Sequence, residues 1–199
     1  MARRTFFSFH YLPDVWRAMN VRKCLKFMPE EAVDGFFDNS VFEASKRESE
    51  ASLKAFLRDG MKSSSVTCVL SGARTSERRW VRYEIVRAIL KGNGLLTIDI
   101  DGVKNEGGYV ADKGRDPLSC VGLYKTDNGM FFAEVSNGEW IKYGDYTSAV
   151  PATCLWFDPP SSASVIPLSA HCMRYDFATQ NGQQNIAGWI ETAAGLAGR

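Results

Sequence analysis

Arg78-Arg79-Trp80-Val81-Arg82-Tyr83-Glu84-Ile85-Val86-Arg87-Ala88-Ile89-Leu90-Lys91 reads as an amphipathic helix. Val81, Ile85, Ala88 and Ile89 share one face at the i, i+4, i+7, i+8 spacing that packs a helix on a sheet. Val66 to Leu70 (VTCVL) precedes it and Leu95 to Ile100 (LLTIDI) follows it, two continuous apolar runs of the kind found in strands covered on both faces. Lys91-Gly92-Asn93-Gly94 stops the helix, and Thr75 or Ser76 is placed to cap it, with Glu77 in its first turn. A strand, a helix and a strand joined by short links make a βαβ unit, hence a parallel pair with a right-handed crossover. Trp80 and Glu84 lie one turn apart on the flank of the apolar stripe, which puts Glu84 at the rim beside an aromatic ring, where a carboxylate can meet a ligand. A second apolar line, Tyr83, Val86 and Leu90, could lie under a C-terminal helix or a β insertion, or form a protomer contact.

The same rhythm extends toward the N-terminus. Thr5 to Phe9 (TFFSF) reads as a buried strand, Leu12-Pro13-Asp14 punctuates it, Pro13 or Asp14 could open a helix, and the helical pattern runs from Val15 to about Phe27. Val33 to Phe37 is a short second strand, Asp38 to Arg47 a loop, and Glu48 to Arg58 a helix closed by Asp59-Gly60. After Ile100 the rhythm changes. Asp101 to Pro117 is polar and without period. Val121 to Lys125, Met130 to Val135 and Glu139 to Tyr143 are strand-like runs separated by Asp127-Asn128-Gly129 and Asn137-Gly138, and Asn-Gly between such runs signals a hairpin. These features predict one domain over 1–199, with a small antiparallel meander inserted at 118–146 and a C-terminal helix at 184–197. The meander is expected to lie away from the crevice and to be dispensable for folding.

Composition narrows the function. The chain has 199 residues, enough for one sizeable core, and a net charge of +1, which gives no electrostatic case for nucleic acid or an anionic membrane. No apolar run reaches bilayer length, and Thr5 to Phe9 is too short for a secretory segment. The five cysteines are odd in number, widely spaced and without a CxxC pair, and the two histidines are far apart, so neither a zinc site nor a disulfide framework is expected. Reduced thiols and a cytoplasmic location follow as expectations.

In an open parallel sheet, ligands bind beyond the carboxyl ends of the strands. Ser8, Phe9, His10 and Tyr11 fall there after the first strand, Phe37 and Asp38 after the second, Ser71 after the third, and Trp80 and Glu84 at the start of the opening helix. An aromatic, a hydroxyl, an imidazole and a carboxylate around one crevice suit a nucleotide-like ligand. The alternative is that Phe9 and Tyr11 are core and His10 a solvated loop residue. No GxGxxG or Walker glycine pattern follows a strand, and the acidic residues of a phosphoacceptor site are missing from the first and third strand ends. Asp99 and Asp101 are two oxygen donors, fewer than a hard cation takes, and read as a strand end and a turn.

Trp80-Val81-Arg82-Tyr83-Glu84, opening the helix after the third strand, resembles the WCxxE motif of TIR domains, with Val81 in place of the Cys. FFSFHY (Phe6 to Tyr11), SVTCVL (Ser65 to Leu70), RRWVRYEI (Arg78 to Ile85) and RYDF (Arg174 to Phe177) are similar to the TIR proteins of bacterial Thoeris anti-phage systems. The resemblance covers most of the chain and is weakest from about Asn105 to Ala170. It implies a flavodoxin-like α/β fold with sheet order 2-1-3-4-5 and helices on both faces. It also implies an NAD-cleaving enzyme in which Glu84 is catalytic and Ser8, Phe9, His10, Tyr11, Phe37, Asp38, Lys46, Ser71 and Trp80 bind substrate. NAD is then a substrate, with no resident cofactor and no metal. The ADP-ribose product, cyclised or transferred to make a small signalling nucleotide, would reach a downstream effector, and protomers would meet through the Asp38–Arg47 loop, where Phe42 and Lys46 stand out. The other reading is a scaffold that signals only through contact between TIR domains.

Overall fold

The computed structural model describes residues 3–25, 33–34 and 49–199. Five strands form a wholly parallel sheet: β1 (Thr5–Phe9), β2 (Val33–Asp34), β3 (Val66–Ser71), β4 (Gly94–Asp99) and β9 (Met173–Asp176), in the order β2-β1-β3-β4-β9. This is the flavodoxin-like TIR arrangement, and Arg174 to Asp176 of the RYDF motif supply its fifth strand.

Helices lie on both faces: α1 (Tyr11–Cys24), α2 (Glu50–Gly60), α3 (Arg79–Lys91) and α4 (Gly182–Leu196). Strand alternation divides the sheet residues between two cores. Phe6, Val69 and Leu95 face α3, packing on Val81, Ile85 and Ile89. Phe7, Cys68, Leu70, Leu96 and Ile98 face α1 and α4, packing on Ala18, Val21, Ile186 and Ile190. Gly92, in the left-handed conformation at φ 69°, ends α3 as the sequence suggested.

Some boundaries differ from expectation. α1 begins at Tyr11, two residues ahead of the Pro13 that could open it, so Pro13 lies in its first turn; the missing N–H of proline is harmless there because first-turn donors have no intrahelical partner. Thr75 and Ser76 do not cap α3. They form a separate 3-10 turn, Thr75–Glu77, and Arg78 is the residue before the helix. Of the predicted second strand, Val33 and Asp34 pair with β1, and 35–37 lie outside the described residues.

The antiparallel sheet is β7-β6-β5-β8, built from β5 (Val121–Thr126), β6 (Gly129–Ser136), β7 (Glu139–Lys142) and β8 (Ile166–Pro167). The three-strand meander was legible; β8, two residues out of an irregular stretch, was not. The sheet is no appendage. Val121, Leu123, Met130, Phe132 and Tyr143 join Val81, Val86 and Ile89 of α3 in one core. This burial argues against the expectation that 126–138 can be removed, because Phe132 is fully buried within that core. The second apolar line of α3 is covered accordingly: Val86 lies under the meander, and Tyr83 packs on Leu53 and Leu57 of α2. An ion-pair quartet closes the same flank, with Arg79 bridging Glu50 (2.7 Å) and Asp145 (2.6 Å), and Lys54 reaching both. No described helix is long and apolar enough to cross a membrane.

Candidate active site

Glu84 points at the sheet, not at the rim. Its side chain accepts a hydrogen bond from the Ser8 hydroxyl on β1, and the two residues are 7% and 1% exposed. The rim expectation is corrected by what surrounds α3. Val81, Tyr83, Ile85, Val86, Ala88 and Ile89 are all buried, because the sheet, α2 and the meander cover three sides, so the middle of the helix has little solvent-facing flank. Burial pushes the Glu84 carboxyl up to about 8, and the Ser8 hydrogen bond pulls only partly against it. In the free protein at neutral pH Glu84 is therefore mostly protonated. A carboxyl group held out of water, with one hydroxyl partner, at the carboxyl end of the parallel strands is poised to ionise when a cation arrives.

Three other polar atoms near these strand ends are buried without a partner among the described residues: Ser71 Oγ, His10 Nδ1 and Arg78 Nε. Ser71 ends β3 on the same sheet face as Ser8, since it lies two residues beyond Val69, the register partner of Ser8. His10 precedes α1 without capping it through its side chain. Burial first, then the Arg78 and Arg74 charges, lower its pKa to about 4, so the ring is neutral at physiological pH.

The predicted aromatic walls do not gather around Glu84. Phe9 packs with the α1 and α4 core on the opposite sheet face and stacks on Tyr11 with ring centroids 6.1 Å apart. Alternation along β1 forces this, because Phe9 must point away from the side that Ser8 takes. Trp80 turns toward α2, edge-on to Tyr83 at 5.9 Å, beside Phe56 and under the Arg79 guanidinium. The described structure thus brings Ser8 directly to Glu84, sets Ser71 on the same face, and leaves Phe9, Tyr11 and Trp80 around the periphery. Phe37, Asp38, Phe42 and Lys46 lie outside the described residues.

Sequence reasoning missed the groups that tie the strand ends together. Asp14 and Arg17, both buried, form an ion pair at 3.5 Å. Asp14 accepts from Thr75 Oγ1, which itself accepts from the Gly72 amide at 2.9 Å. A Cβ on residue 72 would stand 2.2 Å from Asp14 Oδ2, so glycine is required there. Arg17 also donates to the carbonyls of Val103 and Tyr109, fastening the loop that follows β4. Asp99 accepts from Nε and Nη2 of Arg174 and meets Lys113 at 3.2 Å, while Asp101 accepts from the Gly102 and Gly114 amides. Those partners account for both aspartates. The only hint in the sequence was Asp99 and Asp101 at a strand end; the matching cation, Arg174, is too distant in sequence for spacing to find.

Comparison with known proteins agrees with this architecture. A family model described as "Thoeris protein ThsB, TIR-like domain" matches residues 6–105, the span from β1 through Glu84 to the loop after β4. A Bacillus cereus (strain MSX-D12) protein named "Putative cyclic ADP-D-ribose synthase ThsB1" is 34% identical over 194 residues, which cover 96% of this chain and all of that protein. With the parallel order β2-β1-β3-β4-β9 and a buried glutamate on the helix after β3, the chain belongs to the TIR-like ThsB family of Thoeris proteins.

Proposed function

We propose that this protein cleaves NAD at the nicotinamide–ribose bond and converts the ADP-ribosyl group into a small, cyclised signalling nucleotide that activates an effector in anti-phage defence. The observation that carries the reading is Glu84, buried beneath α3 and hydrogen-bonded to Ser8 at the carboxyl ends of the parallel strands. The name of the Bacillus cereus relative supports the cyclic product.

The chemistry needs few groups. The nicotinamide ring of NAD is cationic and leaves as a neutral molecule with the electrons of the glycosidic bond. The ribose carbon passes through an oxocarbenium-like state, as in glycoside hydrolysis. A cation entering beside Glu84 favours its carboxylate, so the proton held in the free protein departs as substrate binds. The carboxylate then faces the positive charge that develops on the ribose in a site that excludes water, where such an interaction is strongest. Ser8 fixes the carboxyl group's orientation. A nucleophile elsewhere on the same ADP-ribosyl group closes the ring where water would otherwise give ADP-ribose. NAD is consumed as substrate and no resident cofactor is required.

The test is incubation of the purified chain with NAD, in the presence of infected-cell extract where a trigger is needed. Nicotinamide is followed by chromatography and the second product by mass. A cyclised product is lighter than ADP-ribose by one water. Absence of nicotinamide under both conditions would favour a scaffold that signals by domain contact alone.

A further inference from the structure

We propose that Ser71, His10, Arg78 and the N-terminus of α3 form an anion subsite that holds the pyrophosphate of the dinucleotide, the part of the substrate that Glu84 does not touch. The inference rests on the NAD reading above for the identity of the anion, but the subsite is argued from groups of its own.

The first observation is the run of unsatisfied polar atoms. Ser71 is fully buried, yet its hydroxyl has no partner among the described residues, and the His10 Nδ1 and Arg78 Nε atoms are likewise buried and unpaired there, in side chains that are otherwise part-exposed. Buried polar groups are normally paired, and three orphans at one end of a sheet mark a place where a ligand supplies the missing acceptors. Each of the three can donate, as an anion requires: a hydroxyl, a neutral imidazole and a guanidinium. The second observation is the start of α3. Arg78 precedes the helix without a side-chain cap, so the first-turn amides, the positive end of the helix, receive no bond from the capping side chain.

Charge balance agrees. Arg74 and Arg78 both lie close enough to His10 to oppose its protonation. Among the described residues they pair with Glu77, at 2.9 Å from Arg74 and 3.6 Å from Arg78, with about half its side chain in solvent. A pyrophosphate would displace that exposed carboxylate from two arginines. The carboxylates deeper in the crevice are already matched, Asp99 by Arg174 and Lys113, and Asp14 by Arg17 and Thr75.

The spacing suits one nucleotide half. Ser71 lies two residues past the level of Ser8, about 7 Å along the sheet. The first-turn amides of α3 lie three to five residues before Glu84, about 5–7 Å along the helix. A ribose whose reacting carbon sits at Glu84 carries its 5′-phosphate one comparable step away, toward Ser71 and the start of α3.

Titration calorimetry with inorganic pyrophosphate and with ADP-ribose, on the full chain, tests the proposal. Arg78→Gln should weaken both by about tenfold or more, the loss of one charge-assisted contact, and Ser71→Ala should weaken both at an unchanged melting temperature, since no bond in the free protein is lost. Glu77→Gln should tighten both, because the competing carboxylate is gone. A merely structural role for this corner would not give opposite signs at neighbouring residues. With NAD, Arg78→Gln should raise KM far more than it lowers kcat. Wild-type affinity for pyrophosphate in both Arg78→Gln and Ser71→Ala would overturn the subsite even if NAD is cleaved. The expected pyrophosphate pattern in a protein that never releases nicotinamide would uphold the subsite and overturn the cleavage reading. A wild-type chain that binds no pyrophosphate overturns the subsite outright.

Discussion

Glu84 decides most at the level of single residues. The residue is 7% exposed, and burial raises the pKa of its carboxyl group to about 8, above the ordinary carboxylate value. The unfolded chain releases this proton near pH 4.5, whereas the folded chain keeps it until about pH 8. The folded state therefore binds more protons through this window, and Glu84 makes stability fall as pH rises from about 4.5 to 8, by up to about 1.4 kcal/mol per pH unit. Glu84→Gln removes the titration while keeping the neutral shape and the Ser8 contact. The variant should match wild type near pH 4.5 and exceed it increasingly toward pH 8, as denaturant melts across that range would register. Its nicotinamide release should nevertheless drop by two or more orders of magnitude, since roughly 3 kcal/mol of transition-state stabilisation goes with the charge. A variant that is more stable at pH 8 and equally active would remove Glu84 from the chemistry. One whose stability tracks wild type at every pH would mean that the carboxyl is solvated after all.

Among the elements, α3 and the strands beside it were the most legible from sequence, for a physical reason. β1, β3 and β4 are buried on both faces and so are continuous apolar runs, and α3 carries its stripe at helical spacing; these periodicities survive without knowledge of the partners. The burial of Glu84 was not legible, because it depends on α2 and the meander closing over the flank of α3, which no local pattern encodes. The direction of Phe9 could have been read from alternation once Ser8 was assigned to the α3 face. Asp99 and Arg174 show the limit most plainly, for β4 and β9 are neighbours in the sheet yet separated by the whole antiparallel unit. That pair fastens the last parallel strand. Asp99 is 3% exposed, and Arg174→Ala would leave it with Lys113, which is 60% exposed. The loss should be about 2–3 kcal/mol, toward the low side for a broken buried pair because Lys113 stays. Asp99→Asn combined with Arg174→Ala should recover part of it. A destabilisation below about 0.5 kcal/mol for Arg174→Ala would place the pair with ordinary surface ion pairs.

The whole molecule is held by a core that spans two sheets. Assembly is a separate question at this scale. If protomers complete one another's sites through the Asp38–Arg47 loop, specific activity should rise with protein concentration, and Phe42→Ala or Lys46→Glu should flatten that rise; activity strictly proportional to enzyme would argue for a self-sufficient monomer. Folding of the single chain makes a sharper demand. Val81, Ile85 and Ile89 of α3 touch the parallel sheet below, and the same hydrophobic cluster continues through Val86 into Leu123, Met130, Phe132 and Tyr143 of the antiparallel sheet. The helix that carries Glu84 is thus the shared wall of both halves, with Arg82 adding an ion pair to Glu134 at 2.8 Å. Neither half can open without exposing α3. Heat or denaturant should therefore unfold the chain in one transition, with fluorescence and circular dichroism superimposed. Phe132 is fully buried, so Phe132→Ala should destabilise by about 3–5 kcal/mol and shift that single transition without splitting it. Excision of 126–138 should abolish cooperative unfolding, because it removes Met130, Phe132 and Val135 and bares the outer face of α3. Two separated transitions in Phe132→Ala, or a cooperative melt in the excised chain, would make the antiparallel sheet an independent attachment. In that case Glu84 would owe its burial to the parallel sheet and α2 alone, and its raised pKa should survive the excision.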